Sequence, residues 1–375
     1  MRVLLASHRY HPVPGGTEKV VQSIAEGLVA RGHEATVVTQ REPGTPRAED
    51  HEGVRIVRIP VLSVGGIRVP RGYHRTLRRL GADVFHLHGN RIWCADFYFP
   101  LALRHSWPQL LTGHGFYQYA MHPRRLDRWY FERYFPRQVR KFGRYAALTE
   151  REAELLTGWG VPAERIARVP DGIPLNEFSR PPESAATFRA RFGVRAPHLA
   201  VYVGGFFENK RVDRLVEAVA RTRGRWALVA IGREIPESPS SARAIAEQAR
   251  GLGAEVHLPG VLSREETVAA LFASDAVVLG SAYEGFGLLL LESMAAGRPF
   301  VSYPAGAAPE LAALGGGICA GSPDEFTQAL TRLEDAAVRE SMGRVGRAAV
   351  PAYSQDRMVE RYVRLYEELV RSAAR

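Results

Sequence analysis

Hydrophobic positions along this chain alternate between two patterns. Short, continuous apolar runs rich in valine, leucine and isoleucine predict buried β-strands, and longer stretches between many of them have the mixed spacing of helices. The first series of predicted strands comprises Val3 to Ala6, Ala35 to Thr39, Val54 to Ile59, Val84 to Leu87, Gln109 to Thr112 and Tyr145 to Thr149. This alternation is typical of a parallel α/β sheet covered by helices.

A second series repeats the architecture. Its predicted strands are Leu199 to Val203, Ala227 to Ile231, Val256 to Leu258, Ala276 to Leu279, Phe300 to Tyr303 and Gly317 to Ala320, with helices such as Ser263 to Ala273 and Pro323 to Glu334 between them. A turn-rich segment, Pro170 to Pro182, separates the two series. We therefore predict two Rossmann-like, doubly wound domains, residues 1–175 and 176–353, with ligands in the cleft between their sheets, and a final helical segment, 354–375.

Composition agrees with this division. The chain has 375 residues, of which 46% are hydrophobic, enough for two separate cores. No apolar run approaches the ~20 residues of a membrane span, and Met1 to Ser7 is too short for a secretory signal, so we expect a cytoplasmic protein. Cys94 and Cys319 lie far apart and outside any Cys-x-x-Cys, which favours core positions over a disulfide or a metal site.

Positive charge is concentrated in the first half of the chain. Residues 1–175 contain 26 Lys and Arg against 16 Asp and Glu, which accounts for the whole net charge of +10. This asymmetry predicts an anionic partner, either membrane lipid or a phosphate-bearing acceptor. The segment Arg124 to Arg144 interleaves aromatic and cationic residues, which suits a peripheral contact with the cytoplasmic face of a membrane or, alternatively, a buried helix pair. No recognisable nucleic-acid-binding motif is present, so nucleic acid is not expected.

Two carboxylates, Glu284 and Glu292, flank a glycine-broken turn that leads into an apolar helix. Unpaired N–H groups at such a helix start, from Gly287 to Leu289, attract a diphosphate. A carboxylate accepts hydrogen bonds from vicinal hydroxyls, so Glu292 is a candidate to bind a ribose and Glu284 a hexose. In the alternative, Glu284 caps the helix and Glu292 lies on a solvated face.

The segment from Glu284 to Pro299 resembles the motif EGFGLxxLExMAxGxP of the retaining glycosyltransferases of family 4, two-domain enzymes of the GT-B fold. The resemblance implies that Glu284 contacts the transferred sugar and Glu292 the nucleoside ribose. It implies that the backbone amides in contact with sugar and diphosphate are those of Gly285, Phe286, Gly287 and Leu288. It also implies that the last helix, Gln355 to Ala374, crosses back onto the first domain.

Lys210, one of three lysines, lies in a glycine turn between a predicted strand and a helix. Phosphates bind at such turns in doubly wound folds, so Lys210 is a candidate to neutralise a leaving diphosphate; the alternative is a surface lysine. The segment is similar to the family's GRxxxxKGxDxLxxA, but Gly205 stands where the family has arginine. Arg211 and Arg233 are candidates for the missing cation.

The first domain supplies two further candidates. Gly15-Gly16 precedes a helix predicted over Thr17 to Ala30 with Thr17 as its N-cap, and the segment resembles a family motif that implies a place for Gly16 beside the diphosphate. His114 resembles the family's TxHG histidine, which contacts the transferred sugar and stabilises the transition state. A lone histidine is otherwise more often structural.

Together with these residues, the family resemblance implies a retaining transfer of a hexosyl unit from a UDP- or GDP-sugar to a glycan, lipid-linked or small-molecule acceptor, with His114, Lys210 and Glu284 as catalytic residues. No carboxylate for a covalent intermediate can be nominated, which favours front-face displacement. His86 and His88 share a strand face without a third ligand, and Asp-x-Asp is absent, so we predict no metal and no cofactor besides the nucleotide-sugar. The alternatives are a nucleotide-sugar hydrolase or epimerase of the same fold and a non-catalytic two-lobed binding protein.

Overall fold

The structure is a computed structural model that describes residues 1–64, 67–89, 107–116, 129–234 and 240–373. The chain forms two compact units: Met1–Gly172 with Gln355–Arg375, and Ile173–Ser354. Each contains a predominantly parallel sheet with helices, so the predicted α/β class with two Rossmann-like domains is confirmed. Cys94 and residues 124–128 of the basic aromatic segment lie outside the described residues.

The first unit is built on one sheet. Its strands and an adjoining hairpin are β1 (Arg2–Ser7), β2 (Glu34–Gln40), β3 (Ala48–His51), β4 (Val54–Ile59), β5 (Val61–Val64), β6 (Ile67–Pro70), β7 (Val84–His88), β8 (Gln109–Thr112), β9 (Arg144–Ala147) and β10 (Ile166–Arg168). Within the described residues the sheet order is β10-β9-β8-β7-β1-β2-β4-β3, and only β3 runs antiparallel to its neighbour. The β5–β6 hairpin pairs separately. Polar β3 and short β10 lack the apolar runs that predict strands.

The helices of residues 1–172 begin with α1. Among the described residues of this range they are α1 (Gly16–Val29), α2 (Tyr73–Leu80), α3 (Phe135–Val139) and α4 (Glu150–Gly158), with a π-helical turn at Tyr130–Tyr134 and a 3₁₀ turn at Ala163–Arg165. The prediction that Thr17 is the N-cap of α1 is wrong. The carbonyl of Gly15 accepts the first helical hydrogen bond, from the N–H of Lys19 at 3.0 Å, so Gly15 is the N-cap and Thr17 lies inside the first turn.

The second unit has an entirely parallel sheet. Its strands are β11 (His198–Val203), β12 (Trp226–Ile231), β13 (Glu255–Gly260), β14 (Ala276–Leu279), β15 (Phe300–Ser302) and β16 (Gly317–Cys319), in the order β13-β12-β11-β14-β15-β16. Cys319 is a free thiol. The strand order reverses between β11 and β14, so the loops that follow these two strands diverge and leave a crevice at the carboxyl edge of the sheet.

Helices cover both faces of this second sheet. They are α5 (Ser184–Arg191), α6 (Val212–Arg221), α7 (Ala242–Leu252), α8 (Arg264–Ala273), α9 (Leu288–Ala295), α10 (Ala308–Ala313), α11 (Pro323–Arg332) and α12 (Ala336–Ala349). Single 3₁₀ turns occupy Leu175–Phe178, Glu208–Lys210 and Val350–Tyr353. None of the helices in the described part of the chain is long and apolar enough to cross a membrane.

The last helix, α13 (Gln355–Ala373), belongs to the first unit. One stripe of its side chains is buried: Met358, Val359, Tyr362, Leu365, Tyr366 and Leu369. This stripe follows the three- and four-residue spacing of a helix face. The helix packs against α1 where Gly27 offers no side chain, because a Cβ at that position would lie 2.7 Å from a methyl group of Val359.

A buried carboxyl, Glu152, links two loops of the first unit. It accepts hydrogen bonds from the N–H of Leu148 at 2.7 Å and from the N–H of Gly115 at 3.4 Å. Burial raises the pKa of Glu152 to about 7, and burial also raises the pKa of Asp171 to about 8. The folded chain therefore retains protons at a pH where the unfolded chain has released them.

Gly27→Ala is expected to destabilise the first unit. An alanine in a helix normally gains up to about 1 kcal/mol over glycine, but the clash with Val359 exceeds this gain, and overpacking costs about 1–3 kcal/mol. Urea unfolding measures the effect. The control is Gly158→Ala at the end of α4, where a Cβ meets nothing within 4 Å. Equal stability of the two variants, or no rescue of Gly27→Ala by Val359→Ala, contradicts the proposed contact.

Glu152→Gln is expected to change how stability depends on pH. A folded-state pKa raised above the unfolded value gives stability that is lost as pH rises from about 4.5 to about 7. Glutamine removes that loss, so the free energy of unfolding of the variant relative to the parent should rise by about 2 kcal/mol between pH 5 and pH 8. Urea unfolding at each pH measures it, with Glu154→Gln, an exposed position on the same helix, as control. A flat difference would contradict the raised pKa.

Candidate active site

The predicted diphosphate position lies where β14 leads into α9. The helix begins at Leu288, and its N-cap is Gly287 in the left-handed region with φ of 98°. No side chain caps the helix, so the expectation that Glu284 acts as a cap is not met. The N–H of Leu290 donates to the carbonyl of Gly287 at 2.9 Å. The N–H groups of Leu288 and Leu289 have no side-chain cap, and their role toward an anion stays a prediction.

Lys210 and Glu284 form an ion pair in this unit. The ammonium nitrogen of Lys210 lies 2.6 Å from Oε1 of Glu284, and the hydroxyl of Ser281 donates to the same oxygen at 2.6 Å. Lys210 ends the 3₁₀ turn that follows β11, and Glu284 follows β14. The two residues come from the two loops at the point where the strand order reverses, which is the usual ligand position in such sheets.

Backbone contacts fix the two loops together. The N–H of Ala282 donates to the carbonyl of Asn209 at 2.8 Å. At Gly280 a Cβ would lie 2.7 Å from the carbonyl oxygen of Arg211 and 3.0 Å from that of Lys210. Glycine is therefore required at residue 280, because any side chain would push Lys210 away from Glu284.

Glu292 lies in the second turn of α9 and is also paired. Nη1 of Arg264 lies 2.8 Å from Oε1 of Glu292, and the same guanidinium contacts Oε2 of Glu177 through Nε at 2.7 Å and Nη2 at 2.5 Å. The ring of Phe178 lies 5.5 Å below the guanidinium carbon. The Glu292 side chain is only 12% exposed, so the alternative of a solvated glutamate is wrong.

The two carboxylates share one arrangement. In each, a cation holds Oε1, whereas Oε2 has no hydrogen-bond partner in the part of the chain that the structure describes. An oriented carboxylate with one open oxygen can accept a hydrogen bond from a hydroxyl group of a ligand. Both Glu284 and Glu292 therefore have the chemistry that sugar recognition requires.

The loop after β15 packs against the segment of the motif around Phe286. Phe286 is buried, and its carbonyl accepts a hydrogen bond from the N–H of Ala307 at 2.8 Å. Gly306 has φ of 56°, and a Cβ there would lie 2.4 Å from the carbonyl oxygen of Phe286 and 2.9 Å from Cβ of Glu284. Gly306 thus allows the chain from Glu284 to Phe286, including Gly285, to keep its course.

No contact in the described part of the chain assigns the second cation predicted for the diphosphate. Arg211 has φ of 48° and forms the N-cap of α6, with an exposed side chain next to Lys210. Arg233 is exposed two residues after β12, and its carbonyl accepts a hydrogen bond from the N–H of Phe206 at 2.9 Å. At Gly205, where the family has arginine, the carbonyl accepts a hydrogen bond from the hydroxyl of Tyr202 at 2.9 Å. Roles for Arg211 and Arg233 stay predictions.

The first unit brings His114 into a chain of buried polar groups. His114 has φ of 52° and shares a hydrogen bond of 3.0 Å with His88, whose ring lies 3.7 Å from that of His86. His86 in turn contacts the hydroxyls of Tyr366 at 2.6 Å and Thr112 at 2.8 Å. Strand β7 and helix α13 therefore support the loop on which His114 lies.

Burial lowers the pKa of His114 to about 4. Its imidazole is therefore neutral at pH 7 and carries no positive charge. The pKa of His88 is also lowered, by burial and by the neighbouring His86. Among the residues that the structure describes, no group of three or more His, Cys, Asp or Glu side chains is placed to hold a metal ion.

Gly16, the other candidate in this unit, is the first residue of α1, and a Cβ there would meet nothing within 4 Å. Space is thus open in front of its backbone. The two groups of candidates lie in different units: Gly16 and His114 in the first, and Lys210, Arg211, Gly285, Phe286, Gly287, Leu288, Glu284 and Glu292 in the second.

Three further residues of the second unit support this site and are not predicted from the sequence. Arg264 looks like an ordinary residue of a helix first turn, Glu177 lies in the segment taken as a linker, and Gly306 is one glycine among 36. Arg264 follows Ser263, a helix N-cap with a capping box to Glu266, and that signal places the helix start but not its partner. Contacts across 87 residues of sequence, as between Glu177 and Arg264, leave no local pattern.

Family models match nearly the whole chain. Residues 15–172 match the glycosyl transferase 4-like domain, and residues 187–349 match the glycosyl transferases group 1. A GDP-mannose:cellobiosyl-diphosphopolyprenol alpha-mannosyltransferase of Xanthomonas campestris is 28% identical over 313 residues, 79% of this chain and 77% of the relative.

Two further proteins extend the similarity. A GDP-mannose-dependent alpha-(1-6)-phosphatidylinositol dimannoside mannosyltransferase of Mycobacterium tuberculosis is 28% identical over 347 residues, 87% of this chain and 85% of the relative. The structure of sucrose-phosphate synthase from Thermosynechococcus elongatus superposes with a TM-score of 0.82 over 99% of both chains at 22% identity. The predicted family is thus confirmed: the chain belongs to the group 1 glycosyltransferases of family 4, and it is a glycosyltransferase with the GT-B fold.

Proposed function

We propose that this glycosyltransferase moves a hexosyl unit from a nucleotide-sugar to a sugar or lipid-linked acceptor, with retention at the anomeric carbon and without a metal ion. The observation that supports this most directly is the meeting of Lys210 and Glu284 beside the uncapped start of α9, with Glu292 one turn further along. A cation and one carboxylate thus lie on two adjoining loops, and N–H groups without a side-chain cap and the second carboxylate follow in the first two turns of α9. A diphosphate between two sugars matches that sequence of groups.

The donor binds through both carboxylates in this proposal. The open oxygen of Glu292 accepts a ribose hydroxyl, and the open oxygen of Glu284 accepts a hydroxyl of the hexose. The backbone N–H groups from Gly285 to Leu288 face the diphosphate between them. Family resemblance supports these roles, and the paired, oriented state of both carboxylates supports them physically.

GDP-mannose is the donor that the relatives favour. The mannosyltransferases of Xanthomonas campestris and Mycobacterium tuberculosis are both named for it. UDP-sugars are the other predicted donors. A contact of Glu292 with the ribose does not distinguish guanine from uracil, because GDP and UDP contain the same ribose.

The chemical step is a front-face displacement. The acceptor oxygen bonds to the anomeric carbon on the face from which the diphosphate departs, and its proton passes to a diphosphate oxygen. Lys210 and the N–H groups of α9 stabilise the negative charge that grows on the diphosphate, which is a large electrostatic contribution in sites of this kind. His114, neutral at pH 7, is proposed to share a hydrogen bond with the sugar. The roles of His114 and Gly16 stay predictions.

The acceptor is proposed to be lipid-linked. Both mannosyltransferase relatives are named for acceptors built on a lipid, a diphosphopolyprenol and a phosphatidylinositol. The excess positive charge of residues 1–175 suits the phosphate of such an acceptor and an anionic membrane surface. We therefore propose that the enzyme works in the cytoplasm, in peripheral contact with the membrane.

A donor and acceptor panel tests the proposal. The protein is incubated in EDTA with GDP-, UDP- and ADP-sugars, with and without glycosylated polyprenyl diphosphates in anionic vesicles, and nucleotide release and sugar transfer are followed. We expect vesicle-dependent transfer from a GDP- or UDP-sugar with an unchanged anomeric configuration. Nucleotide release without transfer indicates a hydrolase, and activity that EDTA abolishes contradicts the metal-free mechanism. Failure of the protein to float with the vesicles contradicts the membrane contact.

Lys210→Ala is expected to lower kcat by about a hundredfold, because it removes the cation beside the departing diphosphate. Steady-state kinetics, with the donor that the panel identifies, measure this loss. Ser281→Ala is the control, since it removes the other hydrogen bond to Oε1 of Glu284 and keeps the cation. A kcat of Lys210→Ala within twofold of the parent value, or an equal loss in Ser281→Ala, removes Lys210 from the mechanism.

A further inference from the structure

We propose that Arg264 is a positioning residue that holds Glu292 in the orientation for binding a ribose, with Glu177 as its anchor. The proposal rests on the ribose role of Glu292 given above and adds two residues to it. It concerns the second unit alone.

The backbone under Arg264 is fixed. Ser263 caps α8 by accepting a hydrogen bond from the N–H of Glu266 at 3.2 Å, and the Glu266 carboxylate accepts one from the N–H of Ser263 at 2.9 Å. This capping box satisfies both N–H groups reciprocally. Arg264, the first residue of the helix, therefore starts from a defined position.

The guanidinium is held on three sides. Nε and Nη2 both contact Oε2 of Glu177, Nη1 contacts Oε1 of Glu292, and the ring of Phe178 lies against the guanidinium at 5.5 Å. Arginine suits this place because its planar fork directs donors to two carboxylates at once, whereas lysine has a single nitrogen. The Arg264 side chain is 31% exposed, so the arrangement opens to solvent and to a ligand.

The ion pair with Arg264 restrains the carboxylate of Glu292. With Oε1 bound, the carboxylate cannot rotate freely, and Oε2 is left as the acceptor. A carboxylate already held in its binding orientation loses less conformational freedom when a ligand arrives. If Arg264 were removed, the carboxylates of Glu177 and Glu292 would lose their shared cation. The two negative charges would then repel each other, and the side chain of Glu292 would move away from its binding orientation.

Glu177 gives the arrangement its anchor in the chain. It lies in the 3₁₀ turn Leu175–Phe178, within a few residues of Ile173, where the second unit begins. The turn-rich segment is therefore part of the nucleoside site. Phe178, from the same turn, is buried and supports the guanidinium.

Equilibrium binding of GDP and UDP, each compared with its 2′,3′-dideoxy analogue, tests the proposal. We expect the parent protein to bind its preferred ribonucleotide at least tenfold more tightly than the dideoxy form, and Glu292→Gln to abolish most of that preference. Arg264→Met should weaken ribonucleotide binding about tenfold and leave dideoxynucleotide binding unchanged. The double variant Arg264→Met/Glu292→Gln should match Glu292→Gln alone.

Two variants keep the result interpretable. Glu177→Gln retains Arg264 and should lose part of the preference, so it reports on the anchor if Arg264→Met folds poorly. Arg191→Met is the matched control, because it removes an ion pair of 2.7 Å to Glu266 on the same helix without touching Glu292. In kinetics, Arg264→Met should raise the donor KM with kcat within about twofold, since Arg264 has no place beside the diphosphate.

Failure of the inference and failure of the proposed function give different results. If Glu292→Gln loses the ribose preference while Arg264→Met and Glu177→Gln keep it, or if Arg191→Met loses as much as Arg264→Met, the positioning role is wrong and the donor site stands. If the parent protein shows no preference for ribonucleotides, the ribose role of Glu292 fails, and the positioning role fails with it.

Discussion

The ion pair between Lys210 and Glu284 is the contact on which the site depends. It joins the loop after β11 to the loop after β14 at the point where the strand order reverses, and Gly280 leaves room for the two loops to approach. A partly buried ion pair of this kind adds little net stability, because removing both charges from water offsets their attraction. Its presence is better explained by the need for a cation and an oriented carboxylate at one place.

Glu284 and Glu292 share one arrangement, in which a cation binds one carboxylate oxygen and leaves the other open. A free glutamate would sample several rotamers, whereas a fully paired one would have no capacity left for a ligand. A carboxylate with one bound oxygen and one open oxygen avoids both outcomes. The histidine cluster of the first unit differs: burial lowers the pKa of His86, His88 and His114, which keeps them neutral, and the hydroxyl of Tyr366 from α13 shares a hydrogen bond with His86.

Sequence patterns predict the α/β class and most of the parallel strands, and they single out the motif residues, whose roles stay predictions. Continuous apolar runs predicted the parallel strands because both faces of such sheets are buried, and the two Glu residues stood out because an apolar helix surrounds one of them. The residues that escaped, Arg264, Glu177 and Gly306, act through partners distant in sequence, which no local pattern can display. Thr17 was misplaced as an N-cap because serine and threonine preferences do not show which carbonyl accepts the first helical bond.

Helix α13 has a consequence for how the protein is made. Its buried stripe covers α1, and its tyrosines reach His86 and Thr112, yet it is encoded after the entire second unit. On the ribosome, the apolar surface of α1 and the polar cluster under His114 stay uncovered until residues 355–373 emerge. The unit that is translated first is thus completed last, and the time for which this surface stays uncovered during synthesis is set by the length of the intervening unit.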